Sequence, residues 1–268
     1  MKLSISNLAW TIEQNESVYK LMQKHGFTGL EIAPTKIFQN NPYSHILEAI
    51  EWNNGLKKNW GFEVSSMQSI WYGRKEKLFG SQEEERILCE YTKKAIDFAS
   101  EIGCKNIVFG CPKNRNIPLE NKKDECYEKA VLFFKLLGDY SESKNTCVGM
   151  EANPEIYGTN FLNTTSEVIS FVKRVDSDGF KLNLDVGTMI QNNEDISVLQ
   201  EKNMFINHVH ISEPFLLKIE KKDLHRSLFR FLKTNNYNGF ISIEMNMQND
   251  INDIEDVLNY VRTLNENC

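Results

Sequence analysis

Two rhythms of apolar and polar residues take turns along the chain. Short runs of period two, the spacing of a strand whose side chains point to alternate faces, cover residues 3–8, 29–33, 62–70, 106–111 and 146–152. Longer segments with apolar residues three and four apart, the spacing of a helix that buries one face, cover 17–25, 44–59, 83–102, 119–141, 165–175, 223–234 and 254–264, with a shorter one at 196–201. Three further strand-like runs reach Asp185, Ile211 and Glu244, so eight strand–helix units are predicted. Such alternation points to an α/β fold, a single (β/α)8 TIM barrel over residues 1–268. A doubly wound open sheet is the alternative, but no GxGxxG follows the first strand. Gly26, Gly61, Gly103 and Gly239 each fall between a helical segment and the next strand, where a left-handed cap favours glycine. No Pro- or Ser-rich linker marks a domain boundary.

In the last four strands one parity carries chemistry. The runs are Val148-Gly149-Met150-Glu151, Leu182-Asn183-Leu184-Asp185, His208-Val209-His210-Ile211 and Ile241-Ser242-Ile243-Glu244. Glu151, Asp185, His210 and Glu244 are 34, 25 and 34 residues apart, close to one strand–helix unit. In each run the apolar residues share one face and the polar residue takes the other. With helices covering the outside of a barrel, that other face is the interior, and near the C-terminal end of a strand it is the floor of an active site. Three carboxylates gathered there repel one another and resist leaving water, and a divalent cation is the natural compensation.

Composition removes several partners. The net charge of -6, with both signs interspersed, offers no cationic footprint for a phosphate backbone, so no nucleic-acid partner is expected. No run approaches the roughly 20 apolar residues of a membrane span, and the opening Met1-Lys2-Leu3-Ser4-Ile5-Ser6 lacks a signal peptide's apolar stretch. The expectation is a cytoplasmic protein without a membrane partner. The six cysteines show neither a CxxC pair nor zinc-ribbon spacing and are expected as reduced thiols, with Cys111 near enough to a strand end for a pocket to reach it.

These features together resemble the xylose-isomerase-like TIM-barrel superfamily, in particular its sugar phosphate isomerase/epimerase group, which includes ketose 3-epimerases and hydroxypyruvate isomerases. The resemblance runs over nearly the whole chain. Its carriers are Gly29-Leu30-Glu31-Ile32, Gly149-Met150-Glu151-Ala152-Asn153-Pro154, Asn183-Leu184-Asp185-Val186-Gly187, His208-Val209-His210-Ile211-Ser212-Glu213 and Gly239-Phe240-Ile241-Ser242-Ile243-Glu244. It implies that Glu151, Asp185, His210 and Glu244 bind one divalent ion (Mn2+, Mg2+ or Co2+, with Zn2+ possible) and that Glu151 and Glu244 are the acid/base pair. It implies a small carbohydrate substrate, an enediolate chemistry next to a carbonyl, and the homo-oligomers in which family members often occur. Two positions depart from the family: Thr188 stands where His or Asn is common, and Leu216 where Arg is, with Lys218 the nearest cation. Both bear on the identity of the sugar.

Other residues around the expected mouth keep two readings each. His208 shares the parity of His210 and either contacts substrate or supports the ligand from behind, rather than serving as a fifth ligand. Glu31 either meets a substrate hydroxyl or pairs with a cation inside the barrel. Glu213 either orients a ligand or bonds a loop. Lys113 and Arg115 follow strand four and either hold a phosphate or carboxylate or stay solvated. Trp10, Trp71 and Tyr72 either stack on a sugar face or pack between loops. His25, His45 and His225 lie outside the strands and are expected to be structural.

Three rivals to an isomerase or epimerase remain. An inosose-dehydratase-like lyase shares the first proton abstraction and then expels water. A non-catalytic sugar-binding barrel keeps the fold alone. A repair endonuclease on the same fold needs a multinuclear zinc cluster with extra histidines on earlier strands, which are absent from strands three and four.

Overall fold

The computed structural model describes residues 1–120 and 122–268. Eight parallel strands, β1 (Lys2–Ser6), β2 (Gly29–Ile32), β3 (Glu63–Met67), β4 (Ile107–Phe109), β5 (Val148–Glu151), β6 (Phe180–Asp185), β7 (Ile206–Ser212) and β8 (Phe240–Glu244), pair in chain order. β8 pairs with β1, so the barrel closes. The connecting helices are α1 (Asn15–Lys24), α2 (Ile46–Trp60), α3 (Gln82–Glu101), α4 (Lys123–Ser143), α5 (Thr165–Val175), α6 (Val186–Gln191) and α7 (Asp223–Thr234), and α8 (Ile251–Asn267) ends the chain. The expected (β/α)8 barrel is therefore the observed one. Among the described residues no helix is long and apolar enough to cross a membrane, and all six cysteines are free thiols.

The apolar parity of the strands makes the core. Ile5, Met150, Leu184, Ile211 and Ile243 are buried in one cluster with Val18, Ala95, Phe134, Phe171 and Leu228 from the helices. The inward parity is polar and cross-bonded. Ser4 meets the hydroxyls of Ser65 and Ser242, Asn106 donates to Ser66, and Gln68 donates to Ser6, all inside the barrel wall. Space explains the small residues there: a Cβ on Gly149 would stand 2.7 Å from Asn106 Oδ1.

Local rules account for most element ends. The acidic run at the start of α3 is a capping box: the Ser81 hydroxyl accepts from the Glu84 amide and the Glu84 carboxylate accepts from the Ser81 amide, at 3.2 and 2.9 Å. Gly26, Gly61 and Gly103 take the expected left-handed conformation. Gly239 does not. In that turn Asn236 is left-handed, at φ 54°, and Gly239 is required by space, because its Cβ would meet Tyr237 Oη at 2.4 Å. The sixth helix also differs from expectation. It starts directly at Asp185, whose carboxylate caps it, whereas residues 196–199 form only a single 3-10 turn. The period-two run that ends in Asp185 hid the helix start, since a capping aspartate and a strand-end aspartate look alike in sequence.

Candidate metal centre

The register of β5–β8 brings four donors to one end of the barrel. Glu151 lies opposite Asn183, Asp185 opposite His210, and Ser212 opposite Glu244. Glu151, Asp185, His210 and Glu244 each contribute one donor atom to a group whose members all lie within 4.8 Å of one another.

Three of the four donors, Glu151, Asp185 and His210, are held from behind. Glu151 Oε1 accepts from Asn153 Nδ2 at 2.8 Å. Asp185 Oδ1 accepts from the Thr188 amide at 2.6 Å as the cap of α6, and its other oxygen accepts from the Ser212 hydroxyl. His210 Nε2 is 2.8 Å from Glu31 Oε2, and His208 Nε2 shares that oxygen at 3.2 Å. Gln68 donates to the other Glu31 oxygen at 2.9 Å. A carboxylate accepts, so His210 presents N–H at Nε2 and turns Nδ1 into the site. There Nδ1 faces Glu244 Oε2 at 3.1 Å and Glu151 Oε2 at 3.6 Å.

A neutral His210 would aim a lone pair toward two carboxylate oxygens, with Asn183 Nδ2 at 3.4 Å the one donor beside it, so this corner favours positive charge. Burial pushes Asp185 up to about 6, with the charge of Glu151 adding to it. Burial likewise pushes Glu244 up to about 7, with His210 opposing and Glu151 and Glu31 adding. Burial disfavours charge on His210, yet Glu31 and Glu244 hold its pKa well above the usual histidine range. Three carboxylates and one imidazole, crowded and short of cations, form an oxygen-rich set whose chemistry fits one divalent ion.

A stability prediction follows. A carboxyl raised in the folded state binds its proton more tightly there than when unfolded, so its contribution is lost as pH rises from about 4 toward the folded values near 6 and 7. His210, raised too, loses stability in the same direction. His208 and His225 are both lowered by burial and work the other way below about 6.5, two groups against three. The metal-free protein should therefore melt at lower temperature at pH 8 than at pH 5. Added Mn2+ should raise the melting temperature more at pH 8, which calorimetry at the two pH values will test. Equal shifts by Mn2+ at both would contradict the assignment.

The remaining expected residues separate into groups. Glu31 and His208 are fully buried beneath His210 and away from the mouth. Of the readings left open, Glu31 shows the pairing inside the barrel, its partners being the two histidines, and His208 shares the Glu31 oxygen that holds His210. Glu213 is buried, accepts from the Glu220 amide at 3.1 Å and pairs with Lys222 at 3.4 Å, which makes it a loop tie. Trp71 is not at the mouth: it packs edge-on to Phe109 at 4.5 Å and donates to Thr92 on α3. Trp10 is buried as well, and Tyr72 alone of the three aromatics stands exposed. Lys113 is exposed beside Tyr72 on a cavity of 550 Å3. Arg115 is not a solvated rim cation. It is 0% exposed and spends its guanidinium on the protein. Lys218 pairs with Asp253 on α8.

Sequence reading passed over several members. Ser212 and Gln68 have the inward parity of β7 and β3 and were legible by that rule. Asn153 lies two residues past Glu151, with no signal except its place in Glu151-Ala152-Asn153-Pro154. Tyr157 had none. It sits on the loop after β5, where its hydroxyl accepts from the Phe215 amide at 2.8 Å and ties that loop to the one after β7.

Comparison with known proteins bears on the fold. A family model described as xylose isomerase-like TIM barrel matches residues 19–264. No curated protein matches by sequence. Among solved structures, a 3-keto-D-glucoside 4-epimerase from E. coli shares 19% identity over 98% of this chain and 99% of its own, with a TM-score of 0.78. A D-psicose 3-epimerase from Clostridium cellulolyticum H10 shares 15% identity over 99% of both chains, with a TM-score of 0.80. A protein named AP endonuclease, family 2, from Brucella melitensis shares 18% identity over 97% of this chain and 98% of its own, with a TM-score of 0.74. At these identities the likeness is one of fold.

Proposed function

The chain belongs to the xylose isomerase-like TIM-barrel family, and from that premise we propose that it is a divalent-metal-dependent sugar isomerase or epimerase, moving a proton at a carbon next to a carbonyl. The observation that carries this reading is the convergence of Glu151, Asp185, His210 and Glu244 within 4.8 Å at the mouth end of four successive strands. The names of two neighbours, a 3-keto-D-glucoside 4-epimerase and a D-psicose 3-epimerase, support it. The substrate class is a small sugar, keto-sugar or sugar phosphate.

Proton transfer next to a carbonyl needs a base against the carbon and charge stabilisation at the oxygen. A divalent ion held by Glu151, Asp185, His210 and Glu244 supplies positive charge against the oxyanion that develops as the proton leaves. Glu151 and Glu244 reach the same corner from strands separated by β6 and β7, so one takes the proton and the other returns it. Return to the opposite face of the same carbon inverts it, and return to the neighbouring carbon exchanges aldose and ketose. Asp185 and His210 hold their places. Tyr157 contributes from the mouth: its oxygen is occupied by the Phe215 amide, which leaves its O–H to donate to a substrate oxygen.

The endonuclease name of one neighbour does not transfer. Among the described residues the two clusters able to hold a metal draw no side chain from β3 or β4, and the chain is net negative.

The test is a deuterium-exchange screen of ketoses and sugar phosphates with Mn2+ in heavy water. Wash-in at one carbon next to the carbonyl is expected, with product mass otherwise unchanged. Loss of one water from the product would make the protein a dehydratase, and no exchange with any member of the screen would favour the non-catalytic barrel.

A further inference from the structure

We propose that Arg115 is a positioning residue for Glu151, acting through the side-chain amide of Asn153. The proposal rests on the metal-dependent reading of the site and adds a member that does not touch it.

Arg115 lies beyond β4 with no exposed surface. Its Nη2 donates to the Glu151 carbonyl at 2.8 Å, to Asn153 Oδ1 at 3.0 Å and to the Leu162 carbonyl at 3.4 Å, and Nη1 lies 2.9 Å from Met150 Sδ. Nε has no partner, and among the described residues no carboxylate forms an ion pair with it. A buried cation without a contacting anion is costly, and loops are ordinarily tied more cheaply by a neutral amide. The nearest compensation is the Glu151 charge, which opposes the effect of burial on Arg115.

The link between them is directional. A guanidinium only donates, so the atom of Asn153 that faces it is the oxygen. The Asn153 NH2 is thereby turned away from Arg115, where it donates to Glu151 Oε1 at 2.8 Å and to the Ala152 carbonyl at 3.0 Å. The reversed amide would set donors against donors on one side and acceptors against acceptors on the other. Arg115 thus fixes Asn153, Asn153 occupies Glu151 Oε1, and Oε2 is turned to the site side, where it lies 3.4 Å from Asn183 Nδ2 and 3.6 Å from His210 Nδ1.

The experiment compares wild type, Arg115→Lys, Asn153→Ala and the double variant by Mn2+ titration calorimetry and by crystal structures of the metal-free proteins. Each single change is expected to weaken Mn2+ binding by about 10- to 100-fold. The double variant should bind no more weakly than the worse single one, because both act along one path. Additive losses, or unchanged affinity in a folded single variant, overturn the proposal. If wild type binds no Mn2+, the functional reading fails by itself. The crystal structures then decide this proposal: a turned or displaced Glu151 carboxylate in Arg115→Lys supports it, and an unmoved one ends it. Should Arg115→Lys not fold, the Glu151 position in Asn153→Ala is read in the same way.

Discussion

Glu151→Gln and Glu244→Gln are each expected to lower kcat by about 1000-fold or more, with the barrel intact. Each substitution keeps the volume and the hydrogen-bonding outline of the side chain while removing its charge and its ability to carry a proton. Glu151 keeps its Asn153 contact through a carbonyl oxygen, and the one ion-pair partner of Glu244 among the described residues is His210, so neither change is expected to break the fold. Melting temperature separates this outcome from misfolding. Glu244→Gln should even be the more stable protein without metal at pH 8, since burial already disfavours charge at that position. A turnover number within a few-fold of wild type in either variant would remove that residue from the acid/base pair.

Glu31→Ala is expected to cost about 3–5 kcal/mol of folding stability, the range for breaking a buried charged pair on one side only. Its carboxylate is fully buried, and burial alone would favour the neutral form. His210 and His208 reverse that and hold it well below the usual carboxylate range, which favours the anion. Alanine takes the acceptor from two buried imidazole nitrogens and leaves the Gln68 amide with Ser6 alone. Released from Glu31, His210 also loses the bond that turns Nδ1 toward the other ligands, and Mn2+ affinity should fall by about 10- to 100-fold. Urea denaturation at pH 7 gives the first number and metal titration the second. A stability loss under about 1 kcal/mol would show that the two histidines do not depend on this anion.

Legibility in the sequence followed periodicity. The barrel and its four convergent donors were readable because strand parity and strand–helix spacing are one-dimensional patterns that parallel pairing preserves in space. The start of α6 was not, because Asp185 satisfies a strand end and a helix cap with the same atoms. Arg115 was misplaced for a related reason. A cation on a loop is ordinarily solvated, and nothing in Pro112-Lys113-Asn114-Arg115 tells that the last of the four turns inward onto carbonyls from two other loops. Trp71 failed by the opposite route: an aromatic just past a strand is as able to fill the gap between sheet and helices as to line a mouth, and Thr92 on α3 takes its N–H. Contacts between loops distant in sequence, such as Tyr157 with Phe215, leave no periodic trace.

The segregation of apolar and polar parities on each strand has a consequence for how such a protein can change. The side chains that fasten the sheet to its helices, such as Met150, Leu184, Ile211 and Ile243, are different residues from those that face the reactants, and they point the opposite way. A substitution at an inward position near the mouth therefore alters reactivity without loosening the oily seam on the other side. Lineages on this scaffold can drift from one sugar, or one proton itinerary, to the next by single steps, each inheriting a sound frame from its parent.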